Sequence, residues 1–118
     1  MTTKRQLKYL QGRYRRELER FLNRVVNFVR GQKGDKEAFD AYVRNCLEKL
    51  EAVEKVPLYS DYYERLERFV ALARGLLGEE TAQEEAFETV AREANRIRKS
   101  RRIKSYSRRK GPKSGEDF

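Results

Sequence analysis

The residues best equipped for chemistry lie in one run, Arg92 to Lys113, which reads REANRIRKSRRIKSYSRRKGPK. It holds eleven Lys or Arg and one acid, Glu93. The basic groups are Arg92, Arg96, Arg98, Lys99, Arg101 and Arg102, followed by Lys104, Arg108, Arg109, Lys110 and Lys113. Seven of the eleven are arginine, whose planar fork grips phosphate oxygens in pairs and stacks on bases. Tyr106, set between Ser105 and Ser107, adds a ring able to stack on an unpaired base. At helical spacing Arg92, Arg96 and Lys99 share one face, and Arg98 and Arg102 share another. A helix basic on several faces suits a deep groove or a site enclosed by phosphates. Asn95 is the only amide near the run, so backbone contacts with little sequence preference are expected.

Catalysis finds little material. The chain has no histidine, the commonest general base and metal ligand. The single cysteine, Cys46, falls at an apolar position of a helical pattern and reads as a buried thiol. Glu79, Glu80, Glu84, Glu85 and Glu88 sit at a helix start, where acids answer the dipole rather than collect a cation. No glycine-rich phosphate loop is present. The expectation is a non-catalytic protein with no cofactor and no metal.

Charge is segregated along the 118 residues. Residues 1–16 carry six basic groups and no acid, residues 17–91 carry a net −5, and residues 92–113 a net +10. The whole chain is +9, an excess that points to a polyanionic partner. RNA is favoured over DNA, because arginine-rich segments that order on binding recur in RNA recognition. A sequence-specific DNA reader more often places Asn or Gln on a compact second helix. The function expected is a nucleic-acid-binding ribonucleoprotein component or accessory factor. Two alternatives stand beside it: a protein–protein adaptor whose basic tail serves solubility, and a DNA-packaging or regulatory protein of viral or plasmid type. A membrane surface is disfavoured, since the basic segment lacks the bulky apolar face that such helices bury. One cysteine permits no intramolecular disulfide and fits a reducing, cytoplasmic setting.

The elements that must position these groups are helical. Apolar residues recur in steps of three and four from Leu7 through Leu10, Tyr14, Leu18, Phe21, Val25 and Phe28, predicting a helix over 4–30. Asp35 and Pro57 bracket a second helix over 36–55. Ser60 and Gly78 bracket a third over 61–77. Thr81 followed by Glu84 reads as a capping box that opens a fourth, over 82–105. Four amphipathic helices predict an all-α, antiparallel four-helix bundle over residues 1–110, with 111–118 as a disordered tail. Such a bundle brings the first helix's Lys8, Arg15 and Arg16, flanked by Lys4, Arg5 and Arg13, to the same pole as the C-terminal run. The first helix, about 40 Å long at 1.5 Å per residue, overhangs the others and offers a surface for a protein partner or for self-association. In size, helix count and charge the chain resembles, in outline, the small helical subunits of CRISPR effector complexes and the basic bundle that accompanies some retroelement reverse transcriptases. The resemblance rests on no motif and implies no site residues.

Overall fold

The structure, a computed structural model, describes residues 3–109, with side chains up to Ser100. The tail expected at 111–118 lies outside the described residues, as do Lys110 and Lys113. Four helices follow in order: α1 (Lys4–Arg30), α2 (Lys36–Glu51), α3 (Asp61–Gly75) and α4 (Gln83–Arg109). No strand occurs among the described residues. α1 packs against each of the other three, and α3 packs against α2 and α4. This is the all-helical, four-helix architecture that the periodicity predicts.

α1 buries Tyr14, Leu18, Phe21, Val25 and Phe28 on one stripe and Leu22, Val26 and Val29 beside it. A face that wide can serve several neighbours at once. Aromatic rings mark the joints. Phe28 stacks on Tyr42 with centroids 5.1 Å apart and meets Phe39 and Phe87 edge-on. Phe21 meets Phe69 of α3 at 6.1 Å. The first three turns of α1 stand outside this core: Leu7 is exposed and Leu10 only half-buried.

Thr3 opens α1 with a capping box. Its Oγ1 accepts from Gln6 N at 3.1 Å, and Gln6 Oε1 accepts from Thr3 N at 3.0 Å. The box expected at Thr81 and Glu84 does not open α4. That helix starts at Gln83, and the first bond runs from Ala86 N to Ala82 O, which moves the capping position to Ala82. Asp35 caps α2 as expected, its carboxylate accepting from Ala38 N. Ser60 occupies the capping position of α3 but its side chain makes no capping bond.

α2 ends at Glu51 rather than at 55. The chain from 52 to 60 instead sends Val53, Val56 and Leu58 into the core. Gln11 Nε2 of α1 donates to Pro57 O at 2.9 Å, so the connection is fastened along α1. α3 also ends early, at Gly75, and Gly78 takes the left-handed φ of +105° that favours glycine.

One charged cluster fixes where α4 begins. Asp40 is the only buried charged residue among those described. Its Oδ2 accepts from Gly78 N at 3.0 Å. Lys36 Nζ lies 2.8 Å from Asp40 Oδ1, off the line of a good hydrogen bond, and donates to Gly78 O at 2.7 Å. Lys36 N donates to Gln83 Oε1 at 3.0 Å. The α3–α4 turn is therefore clamped to the start of α2. Farther along α2, Glu51 is bonded to Arg74 of α3, with Nη2 and Oε2 2.9 Å apart.

Replacing Asp40 with Ala should cost about 2–3 kcal/mol in urea unfolding, because Lys36 and the Gly78 amide lose a largely buried partner. Gly12→Ala should do the opposite. A Cβ there meets only Arg16 Nη1, at 3.6 Å, so the change should gain up to about 1 kcal/mol of helix propensity in the same assay.

Candidate nucleic-acid interface

The basic run begins on the last core-packed turns of α4 and continues past them. Ala86, Val90, Ala94 and Ile97 form its buried stripe, and all four side chains are small or β-branched. Two further contacts fasten α4 to the C-terminal end of α1: Phe28 against Phe87, and Arg30 Nη2 donating to Asn95 Oδ1 at 3.2 Å. Beyond Ile97, Arg98 and Lys99 are exposed. The helix continues through Arg109, past the expected end at 105. It carries Arg101, Arg102, Lys104, Tyr106, Arg108 and Arg109 along a further stretch of regular backbone. From 98 to 109 that stretch is about 18 Å long.

Arg92 and Arg96 are exposed on the core-packed part of α4. Arg96 Nη1 sits 2.8 Å from Glu93 Oε2. An exposed pair of this kind is worth at most about 1 kcal/mol, so a phosphate can displace Glu93 at little cost. On α1, Lys8 and Arg16 are exposed. Arg15 departs from the expectation. Its guanidinium lies over the Tyr63 ring, 5.6 Å from the centroid, and its Nε is buried without a hydrogen-bond partner. The side chain ties α1 to α3 and is only partly exposed. No described contact joins Lys8, Arg15 or Arg16 to the residues from Arg92 to Lys99. Lys8 lies about 33 Å along α1 from Arg30, where α4 is fastened.

A basic surface missed by the regional charge sums lies on α1 itself. Tyr9, Arg13, Arg16, Arg20 and Arg24 line a groove of about 530 Å³ with Lys49 of α2. Arg20 and Arg24 fall within the segment whose net charge is −5, so its sum conceals them. The usable signal is the spacing of 13, 16, 20 and 24, which places four arginines on one helix face.

Elsewhere the surface is different in character. A second groove, of about 540 Å³, has Leu18, Leu50 and Val70 in its walls and Glu51, Glu54 and Glu67 among its polar groups. At its edge Tyr14 Oη donates to Glu67 Oε2 at 2.6 Å. Burial, then that carboxylate, raise the phenol well above its usual pKa of about 10. Cys46 is buried, and burial pushes its thiol up as well, which disfavours the reactive thiolate. Glu79, Glu80, Glu84 and Glu85 are exposed. Among the described residues no group of three or more His, Cys, Asp or Glu could hold a metal ion. None of the described helices is long and apolar enough to cross a membrane. No protein-family model, curated protein or solved structure matches the chain.

Arg15→Gln should lower stability by about 1 kcal/mol through loss of the ring contact and the packed stem, with nucleic-acid affinity unchanged within twofold by filter binding. Tyr14→Phe should act on the pH profile. A phenol raised in the folded state contributes its full stability below about pH 10 and loses it as pH rises toward the folded value. The wild-type urea midpoint should therefore fall more steeply above about pH 10 than that of the Phe variant.

Proposed function

We propose that the protein is a non-catalytic nucleic-acid-binding module, with RNA as the favoured ligand, that grips the phosphate backbone through the C-terminal half of α4. The observation that supports this most is the continuation of α4 for twelve residues beyond Ile97, with seven Lys or Arg and no acid from 98 to 109. Like charges at that density along one helix repel one another unless an anion lies between them. Arginine is the majority cation, which suits bidentate phosphate contact, and Tyr106 supplies a ring for an unpaired base. Arg92 and Arg96 extend the same basic face toward the bundle. A component of a ribonucleoprotein, or an accessory factor that holds RNA for another protein, is the role this arrangement serves.

A second reading, a protein adaptor, draws on the groove walled by Leu18, Leu50 and Val70 with Glu51, Glu54 and Glu67. Those walls suit a peptide of mixed basic and apolar side chains. Salt separates the two readings, because phosphate contacts weaken steeply as counterions are restored.

The direct test is a titration of the full chain with single-stranded RNA, duplex RNA and duplex DNA at about 50 and 200 mM salt. With six or more phosphate contacts the affinity should fall by about a thousandfold between the two. A full-length variant with Arg98, Lys99, Arg101, Arg102, Lys104, Arg108 and Arg109 changed to Gln should lose most of the binding at low salt. Failure of the wild-type chain to bind any of the three polymers at low salt would remove this proposal. Tighter binding to duplex DNA would redirect it to a DNA-packaging or regulatory role.

A further inference from the structure

We infer that the groove between α1 and the C-terminal end of α2 is a separate track for a single-stranded polynucleotide, with its phosphates on Arg13, Arg16, Arg20, Arg24 and Lys49 and a base stacked on Tyr9. The inference rests on the nucleic-acid reading above but places a contact surface on the body of the bundle. It uses residues that the C-terminal run does not include.

The ladder of cations is built by helix geometry. Tyr9, Arg13, Arg16, Arg20 and Arg24 follow in steps of four, three, four and four, so their side chains rise along one face of α1. From Arg13 to Arg24 the face is about 16 Å long. α2 closes one side of it, where Lys49, Ala52 and Val53 complete the lining. Glu17 is the only acid in the groove, and it is committed to Arg20, with Nη1 and Oε2 2.7 Å apart. Among the described residues no ion pair is made by Arg13, Arg16, Arg24 or Lys49. Four like charges along one face repel, and the fold supplies a single carboxylate for them. The missing negative charge is what a ligand brings.

Tyr9 chooses among polyanions. It is 63% exposed, on a helix whose other aromatic residues, Tyr14, Phe21 and Phe28, are buried. A run of acidic side chains answers the arginines but brings no planar ring to stack at the end of the ladder. A single strand uses both, through backbone phosphates on the cations and an unstacked base on the ring. A duplex keeps its bases stacked inside and cannot reach Tyr9 in that way. Gly12 adds room. Arg16 Nη1 lies 3.6 Å from the place a Cβ would occupy, so this guanidinium folds back along α1 over Gly12.

The test compares full-length variants by fluorescence anisotropy with a labelled oligouridylate and with a duplex RNA of equal length. Arg13→Gln, Arg20→Gln and Arg24→Gln together should weaken single-strand binding at least tenfold and reduce the salt slope by about two. The same three positions changed to Lys should keep the slope, which separates loss of charge from loss of fold, and circular dichroism checks the helix content of both. Tyr9→Leu should weaken binding of the oligouridylate about fivefold or more while leaving the duplex unaffected. If the Gln variant binds with wild-type affinity and slope while the C-terminal Gln variant does not bind, the groove is overturned and the α4 reading stands. If polyglutamate displaces the RNA from the groove and Tyr9→Leu changes nothing, the groove is an acidic-protein site and the inference fails. If the wild-type chain binds no RNA at low salt, the groove and the α4 reading fail together.

Discussion

The position of α4 depends on one partly enclosed set of polar bonds. Asp40 and Lys36, a turn apart on α2, hold both the N–H and the C=O of Gly78, and Lys36 also takes Gln83 through its own backbone N–H. A left-handed residue lacks the continuing hydrogen bonds of a helix, so its amide and carbonyl must be satisfied from outside. Here two charged groups do so, at a site where each is mostly withdrawn from water. The cost of withdrawing them is offset by their mutual attraction and by the two backbone bonds. The clamp fixes the origin of α4, and the contact of Phe28 with Phe87 and the bond from Arg30 to Asn95 fix its course over α1.

That arrangement carries two rows of closely spaced cations. One group lies along α4 after Ile97. The other climbs α1 from Arg13 to Arg24. Both groups are made by helical repetition, which turns a spacing of three or four residues into a row of charges. Both are short of carboxylates, and a row of cations without counter-ions is an unfavourable surface unless an anion arrives. The electrostatic logic is the same in each, though the two differ in support. The α1 row lies on packed backbone beside α2, and the α4 row follows Ile97, the last residue of that helix shown buried among those described.

Much of the fold is legible in the chain because it is written in periodicity. The stripe from Tyr14 to Phe28, the Asp35 cap and the left-handed Gly78 follow from local rules that the structure obeys. The departures arise where tertiary burial outbids local preference. Val53, Val56 and Leu58 gain more from entering the core than from extending α2, so that helix stops at Glu51. Thr81 has the sequence of a cap, yet Gln83 is drawn to Lys36, and the first helical bond shifts to Ala82. The Thr3 box follows the pattern of Thr or Ser with Gln or Glu three residues on. Among the basic residues, spacing alone cannot say that Arg15 turns inward over Tyr63 while Arg16, one position on, faces solvent. Nor does a sum over residues 17–91 reveal that Arg20 and Arg24 share a groove with Arg13 and Arg16. Charge totals average over faces, and faces are what a ligand meets.

The most direct measurement is hydrogen–deuterium exchange of the full chain with and without a single-stranded oligouridylate at low salt. Nucleic-acid binding through both cation rows requires added protection in peptides covering 98–109 and 9–24, with the buried turn around Gly78 unchanged. The same exchange in both regions with and without RNA would contradict it.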